Sequence, residues 1–241
     1  KYARYLKYLA LILLSYIAAA VLVKLNYRDL ITGALIPTIK FTREQIFLIC
    51  AVLGTTISPY LFFWQTSQEV EESILKGQTT LKLRQEAVSD KEIKLMRQDV
   101  WSGMFLSNLV MFFIIAASAA TLFASGITNI PTVAEAAAAL RPIAGDQAYL
   151  LFTLGVIGTG MLAIPVLAGS AAYAMSESFG WKVGLYRKLK EANAFYGIII
   201  ISTFLGVALN FAGIDPIKAL IFAAVVNGIV APVILVLIVL L

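Results

Sequence analysis

Six blocks of about twenty mostly apolar residues run through this chain, the length a helix needs to cross the hydrocarbon of a bilayer. They extend from Tyr5 to Val23, Ile46 to Gln65, Trp101 to Ala124, Ala148 to Ser176, Phe195 to Phe211 and Ile217 to Leu241. Composition agrees. Hydrophobic residues make up 60% and charged residues 14%, with a mean hydropathy of +0.87, against about 45–50% and 25% in a soluble domain. A segment in lipid must satisfy its backbone internally, so blocks of this length read as helices. The expected fold is an all-α polytopic membrane protein with about six transmembrane helices.

The first block follows Lys1, Arg4 and Lys7 and holds Ala18-Ala19-Ala20, a pattern that imitates a signal peptide. Five further blocks make it an internal membrane helix instead, and a start at Lys1 without Met reads as a piece of a longer chain. Six crossings bring both ends to one side. Thirteen of the nineteen Lys and Arg residues, among them Lys1, Arg4, Lys7, Lys76 to Arg97 and Lys182 to Lys190, fall in one alternating set of gaps. The other six are Lys24, Arg28, Lys40, Arg43, Arg141 and Lys218. The positive-inside rule puts the richer set, and both ends, in the cytoplasm. Topology thus accounts for the net charge of +5, which calls for no nucleic-acid partner. A bacterial inner membrane is the expected location.

Between the blocks, Asn26 to Arg43 forms a mixed outer loop with Pro37. The longest polar segment, residues 67–100, is a cytoplasmic connector, and its alternating charged and apolar residues suggest helical pieces lying along the membrane surface. Thr132-Val133-Ala134-Glu135 is a capping box for a short Ala-rich helix ended by Arg141-Pro142. Gly155, Gly158, Gly160, Pro165 and Gly169 mark the fourth block as a packing helix, kinked at Pro165 without a break. Asn227-Gly228 and Pro232 fall at mid-depth in the last block, where a packing kink and an offer of amide oxygen are both readable.

The second block is interrupted at Gly54-Thr55-Thr56-Ile57-Ser58-Pro59. Pro59 lacks an amide hydrogen and its ring clashes with the preceding turn, so a helix must kink or break there. Interruptions at membrane depth persist only where buried in protein or lining a watery cavity, and broken helices build the ion sites of many secondary transporters. Candidate ligands are the hydroxyls of Thr55, Thr56 and Ser58, the backbone carbonyl at Ile57, Gln65 two turns on, and Asn227. This is a hard-oxygen set, suited to Mg, Ca or Mn. The chain has no His, hence no imidazole ligand or relay. Glu69, Glu71 and Glu72 sit at the inner mouth, where acidic groups attract cations; Glu69, Glu72 and, in the third block, Asn108 are pathway candidates. Cys50 is the single cysteine and reads as a small buried hydrophobe.

No GxSxG, P-loop, HExxH or CxxC is present, and no apolar block carries a carboxylate at its centre, which argues against catalysis and against a bound cofactor.

Gly54-Thr55-Thr56-Ile57-Ser58-Pro59-Tyr60-Leu61, followed by Gln65, resembles the sixth transmembrane helix of the Nramp (natural resistance-associated macrophage protein-like) divalent metal-ion transporters, where Gly-x-Thr-x-Met-Pro-His-Asn forms an unwound metal site. Lys1 to Val23 resembles that family's fifth helix, and Ile164 to Ala174 its eighth. The resemblance implies helices five to ten of a LeuT-like inverted-repeat (5+5) fold within one transporter domain, residues 1–241. Residues 1–24 would be the last helix of the first repeat and 46–241 the second repeat. The earlier helices of the same protein, including the family's Asp-Pro-Gly-Asn metal site, would then be partners of this piece, together with the lipid bilayer. Divalent metal, Mn or Fe or Mg, would be the cargo, with a proton as candidate coupling ion. Ser58 stands at the family's Met position, Tyr60 at a His, Leu61 at an Asn and Gln65 at a further His. A hydroxyl in place of a thioether weakens discrimination against Mg and Ca, so Ser58→Met is expected to shift preference toward Mn or Cd. Two other readings stay open: a carrier of amino acids or other organic solutes with the same fold, and a non-transporting membrane subunit.

Overall fold

A computed structural model describes residues 10–23, 25–36, 39–130 and 132–240. Lys1, Arg4, Lys7, Lys24 and Pro37, and the side chains of Pro59 and Leu61, lie outside the described residues.

The described residues form helices and connecting turns, with no strand among them. In chain order the helices are α1 (Leu14–Leu22), α2 (Tyr27–Leu35), α3 (Arg43–Thr56), α4 (Pro59–Leu75), α5 (Leu81–Ala87), α6 (Asp90–Ser118), α7 (Val133–Ser178), α8 (Asn193–Phe211) and α9 (Pro216–Leu240). A further α-helical stretch, from Ala10, leads into α1. Side-chain caps open several of them, because the first amides of a helix have no partner within it. Asn26 accepts from the Arg28 amide at 3.2 Å, Thr42 from Gln45 at 3.3 Å and Thr80 from Leu83 at 3.3 Å. At α7 the Glu135 amide donates to Thr132 Oγ1 at 3.2 Å, and the Thr132 hydroxyl donates to Glu135 Oε1 at 3.0 Å. The capping box is thus present, but the helix runs through Arg141-Pro142 and leaves helical geometry only at Gly145 (φ 87°, ψ 172°). Glycine reaches that left-handed φ without the Cβ clash that other residues meet.

Four helices are long and apolar enough to cross a membrane: α6 with its extension to Phe123, α7, α8 and α9. The first block is described from Ala10, where the apolar helix Ala10–Leu22 begins. The second block divides into α3 and α4, each shorter than a crossing. Almost none of α8 is buried within the chain, so its Ile200, Ile201, Phe204 and Leu205 present a surface suited to lipid. The chain is an integral membrane protein. In the connector only α5 is a separate helical piece, and Asp90 to Val100 belong to the same continuous helix as the apolar part of α6. That helix ends in a π-helical segment, Ala119–Phe123, where the Ala124 amide reaches back five residues to the Ala119 carbonyl at 3.1 Å.

Two compact units share the chain: Lys1–Ile57 with Ser107–Ala163 and Ala212–Leu241, and Ser58–Leu106 with Ile164–Phe211. In the first, Tyr16, Val110, Leu122, Leu140, Ala148 and Phe152 form the largest buried cluster. Gly155 and Gly158 let α1 approach α7 closely. A Cβ at Gly155 would lie 2.6 Å from the Tyr16 ring and one at Gly158 2.6 Å from Ile12, whereas Gly160 has nothing within 4 Å. In the second unit the core gathers Ala172, Tyr173, Ala192 and Phe195, with Trp64 packed against them. Gly169 admits Trp64, whose ring would lie 2.3 Å from a Cβ there. The α7 helix stays continuous at Pro165, as the Gly-rich packing reading requires.

The α9 helix opens on Asp215, whose Oδ1 accepts from the amides of Ile217 (3.0 Å) and Lys218 (3.2 Å), while Oδ2 lies 3.4 Å from Lys218 Nζ. Those amides, led by Lys218, hold the carboxyl below the usual aspartate range. A carboxylate with a lowered folded-state value contributes stability above the unfolded aspartate range, and loses it as pH falls through the lowered value. Asp215→Asn is therefore expected to lower the melting temperature by a few degrees at neutral pH. The difference from the parent should shrink as the buffer is acidified below pH 4, about the unfolded aspartate value.

Candidate functional site

The break is two residues long. The α3 helix closes with the Ile57 amide on the Leu53 carbonyl at 2.8 Å. Ile57 (φ −105°, ψ 80°) leaves helical geometry, Ser58 (φ −96°, ψ 109°) is extended, and α4 starts at Pro59. Pro59 occupies the first helical position, where its missing amide hydrogen costs nothing and its fixed φ favours a helix start. The proline thus opens the second half-helix instead of kinking a continuous one.

Thr55 and Thr56 both turn their hydroxyls back onto the Val52 carbonyl, at 2.8 and 2.9 Å. Such back-bonding commits the hydroxyl hydrogen to the helix. At Thr56 it leaves the oxygen's lone-pair side as the face a cation would meet. Ser58 is 2% exposed, Thr56 and Tyr60 are half-buried, and Thr55, Ile57 and Gln65 are exposed.

Thr55, Thr56, Ile57 and Asn227 fall in the first unit; Ser58, Tyr60 and Gln65 fall in the second, so the chain passes between units at the break itself. Within the first unit α3 and α9 meet backbone to backbone. A Cβ on Gly54 would lie 1.8 Å from the Ala224 carbonyl and 2.4 Å from the Gly228 amide, and one on Gly228 would lie 2.3 Å from the Cys50 carbonyl. Ala51, Ala224 and Val225 fill the rest of this contact. Gly54 precedes the break by three residues, about 4.5 Å of helix rise. The half-buried Asn227 is therefore held on a helix fixed one turn from the break. Asn108, on α6, is half-buried and hydrogen-bonded or otherwise engaged.

Of the acidic residues after the break, Glu69 and Glu72 are exposed. Glu69 borders a cavity of about 430 Å³ with Lys76, Arg84, Glu92 and Asp99. Partial burial, then the Glu72 charge, raise its carboxyl above the usual range, with Lys76 opposing and Asp99 and Glu92 adding to the rise. Glu71 behaves differently. It is buried, accepts from the Tyr173 hydroxyl, and accepts from the Leu185 amide at 2.7 Å. The sequence groups it with its exposed neighbours. The missed signal is helical spacing, since Trp64, Gln68 and Glu71 recur at i, i+4 and i+7 and so share one face. Among the described residues no group of three or more His, Cys, Asp or Glu side chains is arranged to hold a metal, so metal ligation at the break would draw on hydroxyl, amide and backbone oxygens.

Comparison with known proteins gives two kinds of likeness. The profile of the family described as natural resistance-associated macrophage protein-like (Nramp) matches residues 1–241. A divalent metal cation transporter, MntH, from Aeromonas hydrophila is 26% identical over 190 residues, which cover 76% of this chain and 44% of that protein. The protein of the same name from Erwinia tasmaniensis is 27% identical over 154 residues, covering 62% and 34%. The chain spans less than half the length of either relative.

Proposed function

Because this chain belongs to the natural resistance-associated macrophage protein-like family, we propose that it is the break-carrying part of a transporter that moves divalent metal cations across a membrane. The observation that carries this reading is the two-residue interruption Ile57-Ser58 between two half-helices. Hydroxyl-bearing residues flank it in the sequence, and such a break is how secondary transporters coordinate ions at mid-depth. The family and both similar MntH proteins support metal as cargo.

In this reading the ion binds among Thr55, Thr56, the Ile57 carbonyl, Ser58, Tyr60 and Asn227, with Gln65 further along α4. The remaining helices of the complete protein supply the other ligands. Hydroxyl, phenol and amide oxygens hold the ion by charge–dipole attraction and replace part of its hydration shell, which suits Mn or Mg better than a soft metal. Asn108, Glu69 and Glu72 lie along the path or at its cytoplasmic mouth, and alternating access carries the ion between sides. The basic gaps place both ends of this segment in the cytoplasm, with a bacterial inner membrane as the setting and a proton as the coupling ion.

The test is uptake into liposomes containing the complete protein, with Mn and Mg compared and a trapped dye following internal pH. Saturable uptake is expected, weakened at least tenfold by Thr56→Ala. Internal acidification in step with uptake is expected from proton coupling. No flux of either metal overturns the reading in favour of an organic-solute carrier or a non-transporting subunit.

A further inference from the structure

Glu71 plays no part in the ion site just described, yet it is the most deeply buried carboxylate among the described residues, at 8% exposure. Its Oε1 takes two hydrogen bonds, from the Tyr173 hydroxyl on α7 and from the Leu185 amide in the loop 179–192. Gln68 Nε2 donates to the same phenolic oxygen at 3.2 Å. No ion pair to Glu71 is present among the described residues. The neighbours are shaped to admit it. Gly184 has φ +125°, and a Cβ there would lie 2.4 Å from the Tyr186 ring and 3.1 Å from Glu71 Oε1. Tyr173 is braced by Trp64 and Phe195, with ring centroids 6.1 and 4.8 Å away. The Tyr196 hydroxyl ties the loop to α8 by donating to the Arg187 carbonyl at 2.9 Å.

We infer that Glu71 is a positioning residue of the transport cycle, fastening the second half-helix α4 to the loop 179–192 so that the two travel as one body. The inference rests on the transport reading above. A contact serving stability alone is made as well or better by apolar side chains, because a buried charge loses its hydration. A carboxylate oxygen shared between one hydroxyl and one backbone amide instead specifies a single register of helix against loop, because a shift that removes either donor leaves a buried acceptor less satisfied. A cavity of about 190 Å³, lined by Thr66, Ser67, Glu71, Glu177, Gly184 and Tyr186, lies against the junction. It gives the carboxylate somewhere to go when the register changes. Glu71 acts on the ion through α4, whose first turn holds Tyr60.

The test uses the complete protein in lipid nanodiscs for hydrogen exchange and in liposomes for manganese(II) uptake, with Glu71→Ala, Glu71→Gln and Tyr173→Phe. In Glu71→Ala, exchange should rise about tenfold in 179–192 and in 59–75 together, while 43–56 and 216–240 keep parental rates. Maximal uptake should fall about tenfold with KM within about twofold, since the ion ligands are untouched. Glu71→Gln retains an acceptor oxygen and should recover much of that rate. Tyr173→Phe keeps the ring packing and should loosen both segments by a smaller factor, which carries the test if the alanine variant does not fold. Loosening of the loop with 59–75 unchanged, or parental uptake in a variant with both segments loosened, overturns the inference. Coupled loosening in a protein whose parent moves no metal leaves the mechanical link standing and sinks the transport reading instead.

Discussion

On the proposed transport reading Gly54→Ala is expected to abolish metal uptake, and in any case to lower stability by about 3 kcal/mol, the upper end of what a forced extra methyl costs in a packed interior. The added carbon would lie 1.8 Å from the Ala224 carbonyl oxygen, 2.4 Å from the Gly228 amide nitrogen and 2.9 Å from Gly228 Cα. All three are backbone atoms of α9, so no side chain can rotate away to make room. Relief requires α3 and α9 to separate along their shared Ala51, Ala224 and Val225 contact, which removes dispersion contacts that neither lipid nor water restores in the same geometry. Separation also displaces the helix end that leads into Ile57 and the helix that bears Asn227. Gly160→Ala is the control, because nothing lies within 4 Å of a Cβ there. Melting of the purified protein and manganese(II) uptake, measured on both variants, check the claim. Parental behaviour of Gly54→Ala in both assays would show that α3 and α9 are not in backbone contact in the membrane.

Bilayer thickness makes the helices legible in the sequence, because a spanning segment must be long, apolar and internally bonded. The break is equally legible, since Pro59 cannot sit inside a helix without consequence. The proline's role is subtler than a kink. It begins α4, and the interruption falls on Ile57 and on Ser58, which the following proline pushes out of helical geometry. The α3 ladder closes with the Ile57 amide on the Leu53 carbonyl, and it cannot run on because Pro59 offers no amide hydrogen to the Thr55 carbonyl. Side-chain placement across long sequence separations is what the sequence hides. Glu71 looks like one of three acids at a solvated helix end, and only the arrival of Tyr173 and Leu185, over a hundred residues later, turns it into a buried junction. The same holds for Gly54 and Gly228, each unremarkable alone. The helix running past Pro142 to Gly145 shows a similar limit, for a proline near a helix end marks a boundary only when the neighbouring packing lets the chain leave.

Ser58→Cys is expected to raise apparent affinity for cadmium at least tenfold over magnesium, provided that position 58 contacts the ion. A thiolate is a soft ligand that selects soft metals, whereas a hydroxyl oxygen favours hard ones. Methionine, the residue at this position in the family that the break resembles, makes the same point with a thioether. However, Ser58 is 2% exposed, and two further heavy atoms in such a site would add about 1–3 kcal/mol of overpacking strain that obscures any change in ion preference. Cysteine swaps oxygen for sulfur with almost no change in shape. The substitution belongs in a Cys50→Ala background, so that position 58 carries the only thiol of this chain. Ser58→Ala should weaken manganese and magnesium alike without favouring cadmium, because it removes a ligand and supplies none. Competition of cadmium against manganese(II) uptake gives the ratio directly. An unchanged ratio in Ser58→Cys, with uptake intact, would remove Ser58 from the proposed coordination shell and leave the Thr56 hydroxyl and the Ile57 carbonyl as the candidates at the break.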